Sequence, residues 1–346
     1  MPGWAAAHTR PHGTRVPACA TVQGMAKRPR VTVLGSLNMD ISVTVPRLPG
    51  PGATVVGGAA RFTPGGKGAN QAVAAARLGG DVRMVGCVGH DEFGRRLLAA
   101  LRAEGINADA VRVVADAPTG LAMIAVDASG ENLITVSPGA NHALAAPDVA
   151  TAAAAGDRDI LVISAEIPVP AITAALAEAH GAPCVLNLAP APPAAADLVA
   201  ATGRNLDWLV VNESEAAAIL GHPVSGLAAA AKAAAELTAR GPRHAVVTAG
   251  AAGAALSSPN ASVGVVTSAR THVIHGFHVE AVDTVGAGDT FVGALAVAVA
   301  AGVPAPDAVR AAAAAGAAAV TRHGAQTAMP RPGDVLAATA VAWPVA

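Results

Sequence analysis

Short runs of β-branched and other apolar residues alternate with longer alanine- and leucine-rich segments along most of this 346-residue chain. The short runs have the composition of buried strands, and the longer segments that of helices. Because the two alternate, the pattern predicts an α/β fold in which a mainly parallel sheet carries helices on both faces. The predicted strands are Val31–Leu34, Val82–Val88, Ile160–Ile163, Cys184–Leu188, Trp208–Val211 and Ala245–Thr248. The predicted helices include Lys67–Leu78, Glu92–Ala103, Pro170–Ala179, Glu213–Leu220 and Leu227–Arg240, followed by a nearly all-helical region from Gly286 to about Ala342.

Two segments depart from this alternation. Ile41–Val45 alternates apolar and polar residues, as does part of Leu121–Val136 around the turn Asp127–Gly130. Such alternation predicts strands with one buried face. Both segments lie too near the first strand and helix to extend the parallel sheet. We therefore expect a small separate β-layer from about residues 41–60 and 118–136, which could act as a lid or as a dimer surface.

The composition argues against several functional classes. Aromatic residues make up only 2% of the chain and Tyr is absent, so the core must consist of Ala, Val, Leu and Ile. The most apolar stretch, Phe291–Val303, is too short to span a bilayer before Pro304 interrupts it, so no transmembrane segment is expected. A net charge of −1 leaves no electrostatic footprint for nucleic acid. The cysteines lie far apart without a Cys-x-x-Cys pair, which favours a reducing compartment, the cytoplasm, over a disulfide framework or zinc cluster; they are Cys19, Cys87 and Cys184.

The N-terminal residues differ from the rest of the chain. No Asp or Glu precedes Asp40, whereas several Arg and Lys residues do. The segment also lacks the continuous apolar stretch of a secretory signal. Met25 stands just before the first predicted strand. Residues 1–28 are therefore interpreted as a disordered leader or an upstream start, and residues 29–340 as the folded domain.

The common phosphate-binding motifs can be tested against the glycine-rich runs. A Walker loop would need glycine where this chain has Arg61 and Ser or Thr where it has Gly68. A dinucleotide fingerprint beginning at Gly286 would need a third glycine where the chain has Phe291. No Gly-x-Ser-x-Gly elbow supports a serine hydrolase. Three evenly spaced histidines are disfavoured as a metal site because a strand would point the middle one away from the others; they are His272, His275 and His278.

The run Asp283-Thr-Val-Gly-Ala-Gly-Asp289, which precedes a helical pattern, carries the strongest chemical signal. Its glycines permit backbone geometries in which successive N–H groups point at one place, and the following helix adds its positive end there. Such a site can hold the charge of a phosphoryl group in transfer, and Asp289 could accept the proton of an attacking hydroxyl. Taken alone, the run fits a glycine-rich helix start with Asp289 as N-cap better.

Two further motifs change this balance. Gly35–Asp40 follows the first strand, at the carboxyl edge of a parallel sheet, where ligands bind. A carboxylate there can accept hydrogen bonds from two neighbouring sugar hydroxyls, although Asp40 alone would be assigned to a turn. Gly65–Gln71 opens a helix with Lys67, which alone would be a capped helix with an exposed lysine.

Together, Gly35–Asp40, Gly65–Leu78 and Asp283–Phe291 resemble the ribokinase-like carbohydrate kinase family. The resemblance implies a three-layer α/β/α domain with a mainly parallel sheet and a small β-sheet lid. Further matches occur in family order from Val31 to about Pro330, so the resemblance covers nearly the whole chain outside the leader. They are Gly130-Glu-Asn, Pro138–Asn141, Asn187–Pro192, Asn212–Ala216 and Thr321–Gln326.

The resemblance implies an ATP- and Mg²⁺-dependent sugar kinase and a role for each matched residue. Asp289 would deprotonate the primary hydroxyl of the sugar. The anion hole would consist of Gly286, Ala287 and Gly288. The sugar pocket would be lined by Asn38, Asp40, Gly66, Lys67, Asn70 and Glu166.

The resemblance also implies a nucleotide site. Asn212 and Glu215 match an Asn-x-x-Glu signature that helps to organise Mg²⁺ and the phosphates, largely through water. By residue type alone they are a helix N-cap and a first-turn acid, and both interpretations can hold together. The nucleotide-binding turn is matched by Thr248, Gly250 and Gly253, with Gly288 beside it.

Members of the family carry a monovalent-cation site beside the anion hole, so activation by K⁺ is expected. Asp283 matches its carboxylate. The chain departs from the family pattern where a side-chain hydroxyl is replaced by Ala328, and Thr327 or water is the candidate substitute. The matching backbone carbonyls are those of Val285, Ala319, Arg322 and Gly324.

The expected activity is phosphorylation of D-ribose at O5, because the run Gly65–Gly79 is most similar to the ribose-phosphorylating members of the family. Alternatives on the same fold are kinases for deoxyribose, another pentose, a ketohexose or a nucleoside. The absence of an aromatic residue to stack a base favours a free sugar. A non-catalytic sugar-binding regulator is a third alternative, against which Asp289 and its glycine run argue.

A one-sided β-layer has an apolar face and exposed edges, which predicts a homodimer through the lids.

Overall fold

The central feature of the computed structural model, which describes residues 27–153, 159–179, 183–259 and 269–345, is a large sheet beside a small one. In chain order the strands of the two sheets are β1 (Arg30–Leu34), β2 (Asn38–Thr44), β3 (Arg61–Gly65), β4 (Asp81–Gly89), β5 (Asn107–Val114), β6 (Gly120–Val126), β7 (Asn132–Ser137), β8 (Ile160–Ser164), β9 (Cys184–Asn187), β10 (Trp208–Asn212), β11 (His244–Thr248), β12 (Gly253–Pro259) and β13 (Ala269–His275).

The large sheet has the order β13-β12-β11-β10-β9-β8-β1-β4-β5. Neighbours from β11 to β5 pair in parallel, and β12 and β13 extend the sheet in antiparallel fashion. The six predicted buried strands all lie in its parallel part, so the α/β fold class is confirmed. The strands β5 and β12 were not predicted from the sequence. The edge strand β5 mixes exposed polar and buried apolar positions and therefore lacks a continuous apolar run.

Helices cover both faces of the large sheet. Neighbouring residues of one strand divide between two cores: Val246 packs in one and Val247 in the other. This division follows from the twofold period of a strand, and it makes the domain three-layered. The helices are α1 (Lys67–Arg77), α2 (Glu92–Ala103), α3 (Ala146–Ala153), α4 (Val169–Glu178), α5 (Ala195–Thr202), α6 (Glu213–Leu220), α7 (Leu227–Ala239), α8 (Ala287–Ala300), α9 (Ala305–Ala319) and α10 (Pro332–Thr339).

Helices α1 and α8 approach each other closely because small residues face each other at their contact. A Cβ atom at Gly293 in α8 would lie 2.6 Å from the carbonyl oxygen of Gln71 and 2.7 Å from the Cβ of Ala74. Only glycine fits at this position, since real Cβ atoms do not come so close to other heavy atoms. This contact brings the first turn of α1 beside the first turn of α8.

The small sheet has the order β3-β2-β6-β7, in which β2 and β6 are parallel and the other pairs antiparallel. It contains the predicted segments Ile41–Val45 and Leu121–Val136 in large part. The prediction of lid strands across 41–60 was wrong for residues 45–60, which form no strand; β3 follows them instead. Residues 45–60 contain three prolines and four glycines, which interrupt a strand ladder.

At the N-terminus, residues 1–26 of the predicted leader lie outside the described residues. Arg28, assigned to the end of that leader, donates hydrogen bonds to the carbonyls of Gly79 and Gly80 at 3.1 and 2.9 Å and so packs on the domain. Within the described residues, no helix has both the length and the apolar character needed to cross a membrane.

Candidate active site

Asp289 lies in the first turn of α8 and is buried, with 6% of its surface exposed. The interpretation of Asp289 as N-cap was wrong: the cap residue is Gly286, whose φ of 77° is suited to glycine. The carboxylate of Asp289 instead accepts hydrogen bonds from the amides of Asn70 at 2.9 Å and Gln71 at 3.3 Å. The side chain therefore points across to α1 rather than back onto its own helix.

The start of α8 presents backbone N–H groups toward the same region. Thr290 closes the first turn on the Gly286 carbonyl through both its N–H and its hydroxyl, at 2.8 and 2.9 Å. The amides of Gly288 and Asp289 lie in the first turn and have no acceptor within the helix. The Ala287 amide donates to the Thr284 carbonyl at 3.3 Å, a long hydrogen bond. Of the predicted anion hole, the Gly288 amide is thus the donor placed at a free helix end.

Asp40 lies on β2 against the start of α1. A Cβ at Gly65 would lie 2.1 Å from its Oδ2 atom, so glycine at position 65 makes room for this carboxylate. Burial is the main factor that raises the pKa of Asp40 to about 7, and the negative charges of Glu166 and Asp289 add to it, while Lys67 opposes them. Asp40 is therefore a carboxylate that loses hydration in the fold and gains little from its neighbours.

Lys67 stands at the centre of a group of carboxylates. The charge of Asp289 is the largest influence that raises the pKa of Lys67, with contributions from Glu166, Glu215 and Asp40, against the effect of burial. The ammonium group is consequently held in its charged form. Because these four acids act on one lysine, the structure brings the predicted sugar, base and phosphate residues into one site.

Glu166 fixes the start of α1. Its Oε2 atom accepts hydrogen bonds from the hydroxyl of Ser36 at 2.6 Å and from the backbone amide of Lys67 at 3.1 Å. Gly66, the N-cap of α1, has a φ of 87°, and a Cβ there would lie 2.6 Å from the amide nitrogen of Asn38. The backbone at Gly66 therefore lies directly against the segment that carries Asn38.

Asn38 is held by a residue to which the sequence assigned no role. The amide of Asn141 donates to Asn38 Oδ1 at 2.8 Å and to the Leu37 carbonyl at 3.1 Å, while Asn141 Oδ1 accepts the Leu37 N–H at 2.9 Å. Both asparagines are buried. Asn141 belongs to the matched run Pro138–Asn141, so its place in that run was the available signal.

Asn212 and Glu215 form a reciprocal capping box at the start of α6. Asn212 Oδ1 accepts the Glu215 N–H at 2.9 Å, and Glu215 Oε2 accepts the Asn212 N–H at 2.8 Å. The helix-cap interpretation is confirmed. Both residues also line a cavity, and burial is the main cause that raises the pKa of the Glu215 carboxyl. A ligand role for the same pair is thus compatible with the geometry.

Two adjoining cavities meet at the start of α8. The smaller, of about 230 Å³, is polar and is lined by Lys67, Asn212, Glu215 and Asp289 among others. The larger, of about 540 Å³, is mostly apolar and includes Thr248, Gly250 and Gly253 in its wall. The residues that line both are Thr248, Thr284, Gly288 and Phe291. A polar cavity beside an apolar cleft has the shape and chemistry for a phosphate chain attached to a nucleobase.

The turn after β11 requires glycine. Gly253 has a φ of 117°, and a Cβ there would lie 2.1 Å from the Ile274 carbonyl oxygen. Gly250 has a φ of 53° with no neighbour near its Cβ position. The backbone of β13 thus packs against Gly253, and the segment that follows the strand, from Gly276 to Val279, lines the larger cavity.

The loop expected to hold a monovalent cation is organised by Asp283. Its Oδ1 accepts the Val285 N–H at 3.0 Å and its Oδ2 accepts the Gly324 N–H at 2.8 Å. The carbonyl of Ala319 accepts the Arg322 N–H at 3.3 Å. The Asp283 carboxylate and the Ala319 carbonyl each keep further lone pairs, and oxygens of these two types are the ligands that a hard cation prefers.

The predicted substitutes for the missing hydroxyl differ in their surroundings. Ala328 is buried and offers no ligand. The hydroxyl of Thr327 donates to the His323 carbonyl at 2.9 Å, so its proton is already committed, although its oxygen retains acceptor capacity. Among the residues that the structure describes, which include His272, His275 and His278, no three His, Cys, Asp or Glu side chains form a metal-binding group.

The sequence and fold match known carbohydrate kinases over most of the chain. The pfkB family carbohydrate kinase model matches residues 28–332. Ribokinase from Haemophilus influenzae is 36% identical over 306 residues, which cover 88% of this chain and 96% of the relative. The crystal structure of ribokinase from Thermotoga maritima superposes with a TM-score of 0.78 at 33% identity, covering 89% of this chain and 98% of that one. The structure of Arabidopsis thaliana ribokinase complexed with ribose and ATP gives a TM-score of 0.76 at 30% identity, covering 90% and 98%. The chain belongs to the pfkB family of carbohydrate kinases.

Proposed function

We propose that this chain transfers the γ-phosphate of ATP to O5 of D-ribose, giving ribose 5-phosphate and ADP. The observation that carries the proposal is the buried carboxylate of Asp289, which lies where the polar cavity meets the free end of α8. The names of the relatives support ribose as the acceptor, and one of them is described in complex with ribose and ATP.

In the proposed mechanism, O5 attacks the γ-phosphorus while Asp289 accepts the hydroxyl proton. The bond between the γ-phosphorus and the β–γ bridging oxygen breaks, and its electron pair leaves with ADP. Charge that develops on the phosphoryl oxygens faces the backbone amides at Gly286–Gly288, of which the Gly288 amide is the best placed. The Lys67 ammonium, between the sugar side and the polar cavity, adds a fixed positive charge.

The sugar is proposed to bind on the α1 side of Asp289. Asp40 accepts hydrogen bonds from two neighbouring hydroxyls, and Asn38, held by Asn141, adds a fixed amide. The remaining contacts come from the backbone at Gly66 and from the side chains of Lys67, Asn70 and Glu166. The side chains of Asn38, Asn70 and Glu166 are already held by hydrogen bonds within the protein, which reduces the entropy lost when the sugar binds.

Two cations are proposed to assist. Mg²⁺, which keeps several waters and needs few protein ligands, would be held near Glu215 and Asn212 and would neutralise charge on the phosphates. A monovalent cation, K⁺, would be held by Asp283 and by backbone carbonyls, namely those of Val285, Ala319, Arg322 and Gly324. Both oxygens of the Asp283 carboxylate accept hydrogen bonds from backbone N–H groups, so the protein itself fixes the shape of this loop next to the start of α8.

A sugar panel tests the proposed substrate. ADP release should be fastest with D-ribose, slower with 2-deoxyribose, and slowest with fructose or a nucleoside. Replacing KCl by choline chloride at constant ionic strength should lower kcat. If fructose or a nucleoside gave turnover equal to that of ribose, ribose would not be the preferred acceptor. If ribose bound without any ADP release, the chain would be a sugar-binding regulator instead.

We also propose that two copies associate through the small sheet. The small sheet carries five large apolar residues whose exposed fraction lies between 43% and 53%: Phe62, Met123, Leu133, Ile134 and Val136. Ile134 and Val136 pair with Ile124 and Ala122 in the register and so share the face of the sheet that carries Asp40. Covering this face by a second copy would also help to enclose the sugar.

Sedimentation velocity tests the proposed association. The double variant Ile134→Glu/Val136→Glu is expected to sediment as a monomer, because two buried charges at the interface cost more than the contact can supply. Leu336→Glu in α10, which replaces a residue that is 51% exposed outside the small sheet, should leave the dimer intact. A wild-type chain that is monomeric at working concentration would contradict the dimer.

The proposed location is the cytoplasm. Cys87 is buried, and burial is the main cause that raises the pKa of its thiol to about 11, so it remains uncharged and poorly reactive. Cys184 is also buried. Such cysteines suit a reducing compartment, where ATP is also supplied.

A further inference from the structure

We propose that Gln71 is a positioning residue for the reaction, whose buried amide fixes the carboxylate of Asp289 in the orientation needed to accept the proton. This role rests on the proposed function, in which Asp289 is the base. Gln71 is fully buried, with 0% of its surface exposed, so it contacts Asp289 from the protein interior and not from the ligand side.

The amide nitrogen of Gln71 has two acceptors. Nε2 donates to Asn187 Oδ1 at 2.9 Å and to Asp289 Oδ1 at 3.3 Å. The orientation of Asn187 is set in turn by its own amide nitrogen, which donates to the Val210 carbonyl of β10 at 3.1 Å. The oxygen of Asn187 therefore has to face Gln71, and Gln71 has to present its nitrogen to both oxygens.

The opposite end of the same amide shows what this orientation costs. The Oε1 atom of Gln71 is buried and has no hydrogen-bond partner among the described residues. An unsatisfied buried acceptor costs roughly 1–3 kcal/mol. Rotating the amide by half a turn would be less favourable still, because Oε1 would then face two acceptor oxygens, one of which belongs to a carboxylate. The unsatisfied oxygen is thus the consequence of directing an N–H donor at Asp289.

The backbone beneath Gln71 is also fixed. A Cβ at Gly293 would lie only 2.6 Å from the carbonyl oxygen of Gln71, and Gly293 follows Asp289 by one helical turn. Because the two helices touch at this point, the distance between Gln71 and Asp289 is set by the packing of α1 on α8.

Asn70 holds the other carboxylate oxygen. Its Nδ2 donates to Asp289 Oδ2 at 2.9 Å, and its Oδ1 accepts from Gln326 Nε2 at 3.1 Å. The main chain of Gln326 is tied back to α1, since its carbonyl accepts a hydrogen bond from Arg77 at 2.6 Å. Asn70 is itself assigned to the sugar, whereas Gln71 has no exposed surface with which to contact a ligand. A substitution of Gln71 therefore tests the orientation of Asp289 without removing a contact to the sugar.

Together the two amides occupy one lone pair on each oxygen of Asp289 and prevent rotation of the carboxylate. The remaining lone pairs are left for the sugar hydroxyl. Loss of the Gln71 donor would leave the Asp289 carboxylate free to rotate about its Cβ–Cγ bond. A misplacement of about 1 Å at a reacting group can lower the rate by about 10²-fold.

The experiment is a double-mutant cycle in the full chain with ATP and ribose. Gln71→Met keeps the size of the side chain and removes the donor. It is expected to lower kcat by about 10- to 100-fold with little change in the KM for ribose. In the Asp289→Asn background the same change should alter the residual kcat by less than about threefold, because Gln71 acts only through Asp289. Thr202→Val, which removes a buried hydroxyl that donates to the Leu198 carbonyl of α5 at 2.7 Å, is the matched control and should keep wild-type kcat.

The outcomes separate the two proposals. If Asp289→Asn retained nearly normal turnover, the base assignment itself would be wrong. If Asp289→Asn lost activity but a folded Gln71→Met kept a kcat within about threefold of wild type, only the positioning role would be refuted. Equal losses from Gln71→Met in both backgrounds would assign Gln71 a general structural role instead. Should Gln71→Met not fold, Gln71→Leu, which is also apolar and lacks a donor, gives the same cycle with the same expected non-additivity.

Discussion

Asp289→Asn is expected to lower kcat for ribose phosphorylation by roughly 10²–10⁴-fold, the range contributed by a general base. The amide has nearly the shape of the carboxylate but cannot take the proton of O5. The sugar keeps its contacts with Asp40 and Lys67, so the KM for ribose should change little. Steady-state kinetics with saturating ATP measures both constants.

Asp307→Asn is the matched control for this result. Asp307 is the third residue of α9, as Asp289 is of α8, but it is exposed. Both substitutions remove a first-turn acid that interacts with a helix dipole, an effect of typically about 0.3–1 kcal/mol on stability. Only Asp289→Asn should affect turnover. Near-normal kcat in Asp289→Asn would leave Asp289 with the role of a helix-terminal acid and remove the proposed mechanism.

The layered fold could be predicted because each buried strand is a continuous apolar run and each helix a longer alanine-rich segment. The six predicted strands of the parallel sheet agree with the structure to within one or two residues. For strands that lack such a continuous apolar run, the prediction was incomplete. The strand β3, Arg61–Gly65, contains Pro64 and ends in glycine, and its ladder to β2 depends on a partner that is not adjacent in sequence.

The residues that form the site could be predicted from the sequence, but the contacts between them could not. Asn70 and Asp289 are 219 positions apart, so no local period reveals that one donates to the other. Sequence alone favoured an N-cap role for Asp289, because a short acid after glycines commonly caps a helix. The structure assigns the cap to Gly286 instead, since its backbone has a positive φ. The partners of the ligand residues, Gln71 and Asn141, lie within matched motifs, but their roles become evident only from the direction of their amides.

The second large effect is expected for Asp40→Asn, which should weaken ribose binding by at least about 10²-fold while ATP binding is retained. An ionised carboxylate accepts two hydrogen bonds from neighbouring hydroxyls, and hydrogen bonds to charged groups contribute about 1.5–3 kcal/mol each. An amide offers one acceptor and turns its nitrogen toward the other hydroxyl. Isothermal titration with ribose, and separately with ADP, measures the two affinities. Equal ribose affinity in both proteins would place the sugar away from Asp40.

The same substitution should stabilise the free protein, with a pH dependence that identifies the cause. Folding raises the pKa of Asp40 from 3.8 to about 7, chiefly through burial and then through the charges of Glu166 and Asp289, against the effect of Lys67. Between these values the folded state binds more protons than the unfolded state, so the wild-type protein loses stability as the pH rises from about 4 to about 7. Asp40→Asn removes that loss. At pH 8 it should therefore raise the free energy of unfolding by an amount on the order of 4 kcal/mol, whereas near pH 4 the two proteins should be equally stable. Urea unfolding at both pH values tests this expectation, and a gain that is the same at pH 4 and pH 8 would show that ionisation of Asp40 is not its source. A variant that is more stable and no longer binds the sugar would mean that the fold retains a destabilising charge because ribose recognition requires it.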